Sequence, residues 1–295
     1  MSTIFLTSSI GFYKTNLYGK RSPKPFLNKN GLIDNFKKYI KKYDNFLLIP
    51  SSFDEEKTDK KADLIFKSFD MTLPFKNYKI LDMRTKDKTE ELLKSADFIF
   101  ISGGHVPTQN KLLDELDLFL KMENANCVIC GMSAGSMNMA KTVYACPEYD
   151  GEATDKNYKR FLMGLWLTDV SILPHFKRVF DETVDGYTIR ELAKEDSKKH
   201  PIVGVPDNSY ILQTEDGKKY MFGTSYVFWR GKCNRLTINK QNIDITQKLN
   251  EVYDFNPLTR VRPKDILRKK KEAKAARLAA QNVQKANENA QNLKK

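Results

Sequence analysis

The sequence predicts an α/β fold: a doubly wound, mostly parallel sheet with helices on both faces. Three observations carry that expectation. Short apolar runs alternate with helix-periodic segments from Ile4 to Cys130, the pattern of βα units. Several of these runs end in small polar loops, and open α/β sheets bind ligands at the carboxyl ends of their strands. The stretch Cys127-Val-Ile-Cys-Gly-Met-Ser133-Ala-Gly135-Ser136 reads as a buried strand, a tight turn and a helix in succession.

Each element has its own justification. The opening Met-Ser-Thr-Ile-Phe-Leu-Thr lacks a basic start and a long apolar core, so it reads as a first strand, Ile4–Ser8, rather than a signal peptide. Strands are expected next at Asn45–Ser51, Tyr78–Asp82, Asp97–Ser102 and Asn126–Cys130, with helices at Gly31–Lys42, Lys60–Phe69, Thr89–Lys94 and Gln109–Met122. Four loops then share one edge: Thr7-Ser8-Ser9, Pro50-Ser51-Ser52, Ser102-Gly103-Gly104-His105 and the turn at Ser133. The polar segment from Tyr144 to Arg160 reads as a lid or rim over that edge. Shorter strands follow at Gly164–Trp166, Asp169–Leu173, Ile202–Val205, Tyr210–Thr214 and Lys219–Phe222, the last two flanking the hairpin signal Glu215-Asp216-Gly217. This gives one domain over residues 1–240, a polar linker over 241–263, and a basic helical or disordered tail over 264–295.

Composition narrows the class. With 295 residues, 40% hydrophobic and 29% charged, the chain suits one large α/β domain. No run approaches the roughly 18 apolar residues of a spanning helix, so no membrane partner is expected. The net charge is +13, but residues 257–295 hold +9 of it. The body is nearly balanced and shows no interleaving of basic and aromatic residues, which argues against nucleic acid. Four cysteines make no disulfide framework, and the pair Cys127/Cys130 falls inside a strand rather than at a metal or redox turn. A reducing cytoplasm is the expected setting, and a homodimer is left open.

The chemistry centres on Ser133. In Gly131-Met-Ser133-Ala-Gly135 a serine stands on a sharp turn, and flanking glycines let strand and helix approach. The amides that open the helix point at the reacting centre, where they can stabilise an oxyanion. The three histidines are His105, His175 and His200. His175 ends an apolar strand on the same edge as Ser133 and is favoured as base. His105 follows the glycine pair on the same edge and competes as base, but reads rather as a site-lining or structural residue. His200 precedes a strand, at the opposite edge, and is expected to be exposed. Asp207, after the next apolar strand, could orient His175, or could simply form an Asx turn with Asn208 and Ser209. The order Ser133, His175, Asp207 differs from the Ser, acid, His order of α/β-hydrolases.

These motifs resemble the S51 serine peptidases, a family that includes peptidase E (aspartyl dipeptidase) and cyanophycinase. The resemblance covers roughly residues 2–225. It rests on Thr7-Ser8-Ser9, Ser102-Gly103-Gly104, Gly131-Met-Ser-Ala-Gly135, Leu173-Pro-His-Phe176 and Gly204-Val-Pro-Asp207. It implies a flavodoxin-like fold similar to class I glutamine amidotransferases, with serine replacing cysteine. It also implies Ser133 as nucleophile, His175 as base and Asp207 as third member, with an oxyanion hole from the backbone N–H of Ala134 and that of Gly104 or its neighbour. Such an enzyme cleaves short peptides without metal or organic cofactor. Gly103, His105, Lys177 and Arg178 are the candidates to line the substrate. Three departures stand out: His105-Val-Pro-Thr108 after the glycine pair, Asp207 where the family often has Glu, and Pro206 where peptidase E carries arginine. Two other readings compete: an esterase of α/β-hydrolase type using His200, and an inactive peptidase-like protein whose basic tail binds an anionic partner.

Overall fold

A computed structural model describes residues 2–122, 125–253 and 272–280. The chain divides into two units, residues 1–255 and 256–295. In the second unit residues 272–280 form an exposed helix. The rest of the expected tail, 264–271 and 281–295, lies outside the described residues, as does the end of the expected linker.

The first unit is built on a ten-stranded sheet. Its strands are β1 (Ile4–Thr7), β2 (Asn45–Ile49), β3 (Asn77–Ile80), β4 (Phe98–Ile101), β5 (Val128–Met132), β6 (Ile172–Pro174), β7 (Ile202–Val205), β8 (Tyr210–Gln213), β9 (Lys219–Trp229) and β10 (Lys232–Asp244). Their order is β6-β7-β9-β8-β1-β5-β4-β2-β3, with β10 also on β9. The run β1-β5-β4-β2-β3 is parallel throughout. The helices are α1 (Leu32–Tyr39), α2 (Glu55–Asp70), α3 (Thr89–Ser95), α4 (Val106–Glu115), α5 (Leu118–Lys121), α6 (Ala134–Asn138), α7 (Phe176–Val179), α8 (Ile189–Asp196) and α9 (Thr246–Tyr253). The expected doubly wound α/β class, similar to class I glutamine amidotransferases, is the one observed.

Strand alternation explains the two cores. Phe98 and Phe100 of β4 point into one face with Phe5, Phe46, Phe36 of α1 and Phe69 of α2. Ile99 and Ile101 point into the other with Leu6, Ile129 and the helices α3 to α6. Parallel strands buried on both sides are apolar at every position, which is why these segments read as continuous runs. The same alternation sends Cys127 to one core and Cys130 to the other, so the two thiols face apart.

Two expectations are corrected. The stretch from 241 is not a linker through its first part: β10 runs to Asp244, and Ile245 just before α9 joins Leu249 and Tyr253 of that helix in the core. The spacing of four residues buries one narrow stripe and leaves the remaining positions polar, which disguises the helix. Gly164–Trp166 is not a strand; Phe161–Met163 is, paired with Thr142–Tyr144.

The antiparallel half shapes the site. Strand β9 pairs with β8 through Lys219–Phe222, then with β7 through Tyr226–Phe228. Gly223, at φ +103°, marks the change of partner, and a Cβ there would lie 2.9 Å from that of Ser209. Opposite this irregularity, residues 206–209 leave the sheet as a turn closed by the Ser209 N–H donating to the Pro206 carbonyl at 3.1 Å. Asp207 sits in that turn.

Candidate active site

Ser133 joins β5 to α6 at φ +54° and ψ −120°. A positive φ costs a non-glycine residue on the order of 1–3 kcal/mol and persists only when neighbours hold it. Here the Ser133 N–H donates to the Thr7 carbonyl at 3.0 Å, and its own carbonyl accepts from Met137 N–H at 3.0 Å. The Ser136 hydroxyl accepts from Thr7 N–H at 2.9 Å and donates to the Thr7 carbonyl at 2.8 Å, locking helix to strand. The flanking glycines allow this approach. A Cβ on Gly131 would fall 2.6 Å from Ser136 Cα, and one on Gly135 would fall 2.7 Å from the Ile101 carbonyl carbon.

His175 ends β6 in the left-handed region at φ +56° and opens α7. Its Nε2 lies 3.0 Å from Ser133 Oγ and its Nδ1 lies 2.6 Å from Asp207 Oδ1. Ser8, fully buried at the end of β1, completes the cluster. Its hydroxyl donates to Asp207 Oδ1 at 2.8 Å and accepts the His175 backbone N–H at 2.6 Å. Burial alone would raise the Asp207 carboxyl; the hydrogen bond and charge of His175, the Ser8 hydroxyl and Arg178 outweigh it and hold the group below its ordinary value.

The loop after β4 lies beside the serine. A Cβ on Gly103 would sit 2.9 Å from Ser133 Cβ, and one on Gly104 would sit 2.5 Å from Ser51 Cβ. The Gln109 amide donates to the carbonyls of Ser102 at 2.7 Å and Pro50 at 3.2 Å, tying two site loops together. Among the described residues the N–H groups of Gly104 and Ala134 meet no protein acceptor.

Two clefts meet at Ser133, and Gly104, His175 and Arg178 border both. The first, about 840 Å³, carries Arg21, Lys57, Lys60, Lys61 and Arg178 against the single acid Asp207. The second, about 700 Å³, is walled by Cys146–Tyr149 and by Glu182 to Val184. The polar segment expected as a lid or rim supplies part of this wall. It is pinned in place: Asp185 accepts the N–H groups of Gly151 at 2.7 Å and Ala153 at 2.8 Å. Glu148, which lines this cleft, is pushed up to about 7 by burial and then by the charge of Glu152.

The remaining candidates fall out as follows. His105 has both ring nitrogens engaged, with Thr108 at 2.8 Å and Glu152 at 2.9 Å, so it buttresses the second cleft. Lys177 does not border either cleft; it lies in a separate groove with Phe180, Tyr226 and Arg235. Its neighbour Arg178 faces the site because one residue along α7 turns the side chain by about 100°. His200 is buried rather than exposed. Its Nε2 lies 2.7 Å from Ser171 Oγ, and burial drives its pKa down to about 4. It sits at the edge remote from Ser133, which removes the α/β-hydrolase assignment. Ser8 and Lys61 were not assigned a role from sequence. Ser8 was visible as part of a strand-end loop, whereas nothing local distinguishes Lys61 from its lysine neighbours. No group of three or more His, Cys, Asp or Glu side chains is placed to hold a metal among the described residues. Nor is any helix among them long and apolar enough to cross a membrane.

The family to which the chain belongs is one of peptidases. The model of peptidase family S51 matches residues 26–221, and the chain belongs to that family. Among solved structures, a peptidase from an acI-B1 Actinobacterium superposes with a TM-score of 0.59 at 15% identity, covering 82% of this chain and 96% of its own. A putative peptidase E protein from Listeria monocytogenes EGD-e superposes with a TM-score of 0.50 at 17% identity, covering 80% and 100%. At these identities the likeness extends to the fold. No curated protein sequence matches the chain.

Proposed function

We propose that this peptidase is a serine exopeptidase that hydrolyses short peptides through an acyl-enzyme on Ser133, with His175 as base and Asp207 as the acid that orients it. The observation that carries this reading is the continuous chain of contacts from Asp207 Oδ1 to His175 Nδ1 at 2.6 Å and from His175 Nε2 to Ser133 Oγ at 3.0 Å. His175 takes the serine proton as Oγ attacks the peptide carbonyl. The oxyanion rests on the N–H groups of Ala134 and Gly104. His175 then protonates the leaving amine, and water, deprotonated by the same imidazole, releases the acid. Asp207, held ionised, fixes the tautomer and stabilises the imidazolium.

The basic cleft favours a substrate carboxylate near the cleaved bond. Arg178 is suited to meet it, since Pro206 offers no charge before the acid. Cysteine usage supports the cytoplasm as the compartment. The test is hydrolysis of a dipeptide panel (Asp-Xaa, Glu-Xaa, neutral-Xaa and acylated forms) by the wild type and Ser133→Ala, with a serine-directed phosphonate probe on the intact protein. Expected is labelling at Ser133 and a loss on the order of 10⁴–10⁶ in kcat for the variant. Hydrolysis that survives Ser133→Ala would sink the proposal.

A further inference from the structure

Lys61 lies outside the serine, histidine and aspartate constellation, yet it reaches into the site. It projects from α2 and its ammonium donates to the carbonyl oxygen of Gly103. That carbonyl belongs to the same peptide unit as the Gly104 N–H. In a planar trans peptide the C=O and the following N–H point in opposite directions. Whatever fixes the Gly103 oxygen therefore fixes the direction of the Gly104 N–H.

The loop needs such a device. Both residues must be glycine, because a Cβ on either would collide with Ser133 or Ser51. Two glycines in succession have the widest backbone freedom of any dipeptide, so space is gained at the cost of order. Gln109 secures the preceding carbonyl, that of Ser102. Lys61 secures the next one.

We propose that Lys61 is a positioning residue for the oxyanion hole: by holding the Gly103 carbonyl it aims the Gly104 N–H at the substrate oxygen as Ser133 attacks. This rests on the serine-peptidase reading above. The positive charge adds to the effect. An ammonium on the carbonyl polarises the peptide and makes its N–H a stronger donor.

The surroundings of Lys61 make the contact sensitive to pH. Lys57 and Lys60 share its helix, and Arg21 and Tyr13 face it from the small sheet formed by Tyr13–Thr15 and Arg21–Pro23. Across the cleft stand His175, Arg178 and Asp207. Asp207, the one acid among these, is engaged by His175 and Ser8. Burial, followed by the charge of Arg21, brings Lys61 down to about 8. Its ammonium is therefore lost within the range in which the enzyme can be assayed.

The experiment measures kcat and KM against pH from 6 to 10 for the wild type, Lys61→Met and Lys61→Arg, using the best dipeptide of the panel, with Ser133→Ala alongside. Circular dichroism and thermal unfolding establish which variants are folded. Expected is a kcat lower by about 10²–10³ in Lys61→Met, the cost of losing one oxyanion donor, with KM changed less than about threefold. Expected also is a wild-type alkaline limb near pH 8 that vanishes in Lys61→Arg, whose guanidinium stays charged, and a Lys61→Arg rate within about tenfold of wild type at pH 7. A folded Lys61→Met with kcat within twofold of wild type would overturn the proposal. An unshifted alkaline limb in Lys61→Arg would overturn it too, even if Lys61→Met does not fold. These outcomes with an inactive Ser133→Ala leave the serine-peptidase reading standing. An active Ser133→Ala would remove both.

Discussion

The Ser8 hydroxyl donates to Asp207 Oδ1 at 2.8 Å, the same oxygen that meets His175 Nδ1 at 2.6 Å, while accepting the His175 backbone N–H at 2.6 Å. One buried side chain thus joins three strand ends: β1, β6 and the turn after β7. An aspartate reaches less far than the glutamate often found at this position in S51 enzymes. In the proposed mechanism, Ser8 helps to keep the shorter acid within reach of the imidazole.

Replacing Ser8 with alanine removes a hydrogen bond to a charged group and leaves the His175 N–H without its acceptor. Contacts to charged groups contribute about 1.5–3 kcal/mol. Ser8→Ala is accordingly expected to lower kcat by roughly 10- to 100-fold while changing KM little, and steady-state kinetics on the cleaved dipeptide measures it. A rate within twofold of wild type would show that His175 and Asp207 hold their arrangement without Ser8.

Gly104→Ala tests the loop beside the serine. The new Cβ would lie 2.5 Å from Ser51 Cβ, so the loop must move and carry its N–H away. A loss of about 10²–10³ in kcat is expected, the cost of one oxyanion donor. Ser51→Gly removes the obstructing side chain. The double variant Ser51→Gly, Gly104→Ala should recover at least about tenfold over Gly104→Ala alone. An additive loss would mean that the damage comes from elsewhere.

How far the sequence revealed this arrangement depends on range. The parallel half was legible because strands such as Phe98–Ile101 and Val128–Met132, buried on both faces, are apolar at every position, and because the serine turn has its own local glycine signature. Ser133, His175 and Asp207 stood out as candidates at strand ends, with an Asx turn open for Asp207, and the fold brings the three side chains within hydrogen-bond distance of one another in succession. The long strand β9 was legible only as far as Phe222, since the change of partner at Gly223 is a tertiary event. Helix α9 was hidden by its thin apolar stripe. His200 looked exposed in Lys-Lys-His-Pro because burial by Phe161 and Tyr253 comes from segments distant in sequence. Lys61 was invisible for the same reason: its partner, Gly103, lies 42 residues away.

Asp207 links the site to acid stability. Its folded pKa is lowered, chiefly by His175 and Ser8 overcoming burial, so the group stabilises the fold above the unfolded carboxyl value of about 3.9. That contribution is lost as pH falls through the lower folded value. Asp207→Asn should therefore flatten the unfolding midpoint below pH 4 relative to wild type, and reduce kcat by roughly 10⁴ at pH 7 through loss of the correct tautomer. Denaturant titrations at pH 3, 4 and 7 with parallel rate measurements would show both effects. An unchanged rate would rule out the orienting role.

His200 predicts a separate acid transition at higher pH. In the folded chain it is 1% exposed, and its pKa is lowered to about 4 by burial. Unfolded histidine protonates near 6.5. Between those values the unfolded state holds one more proton than the folded state, so stability declines as pH falls from 6.5 toward 4. The full difference corresponds to roughly 3 kcal/mol, since each unit represents about 1.4 kcal/mol. His200→Gln keeps a polar partner for Ser171 and cannot titrate. Urea midpoints for the variant should change less between pH 7 and pH 4.5 than those of wild type, whatever its absolute stability. Its kcat at pH 7 should remain within a few-fold of wild type, because the ring lies at the opposite edge from Ser133. Equal pH slopes would mean that burial does not lower the pKa of His200 in the folded chain. Loss of activity in a folded His200→Gln would restore it as a candidate base.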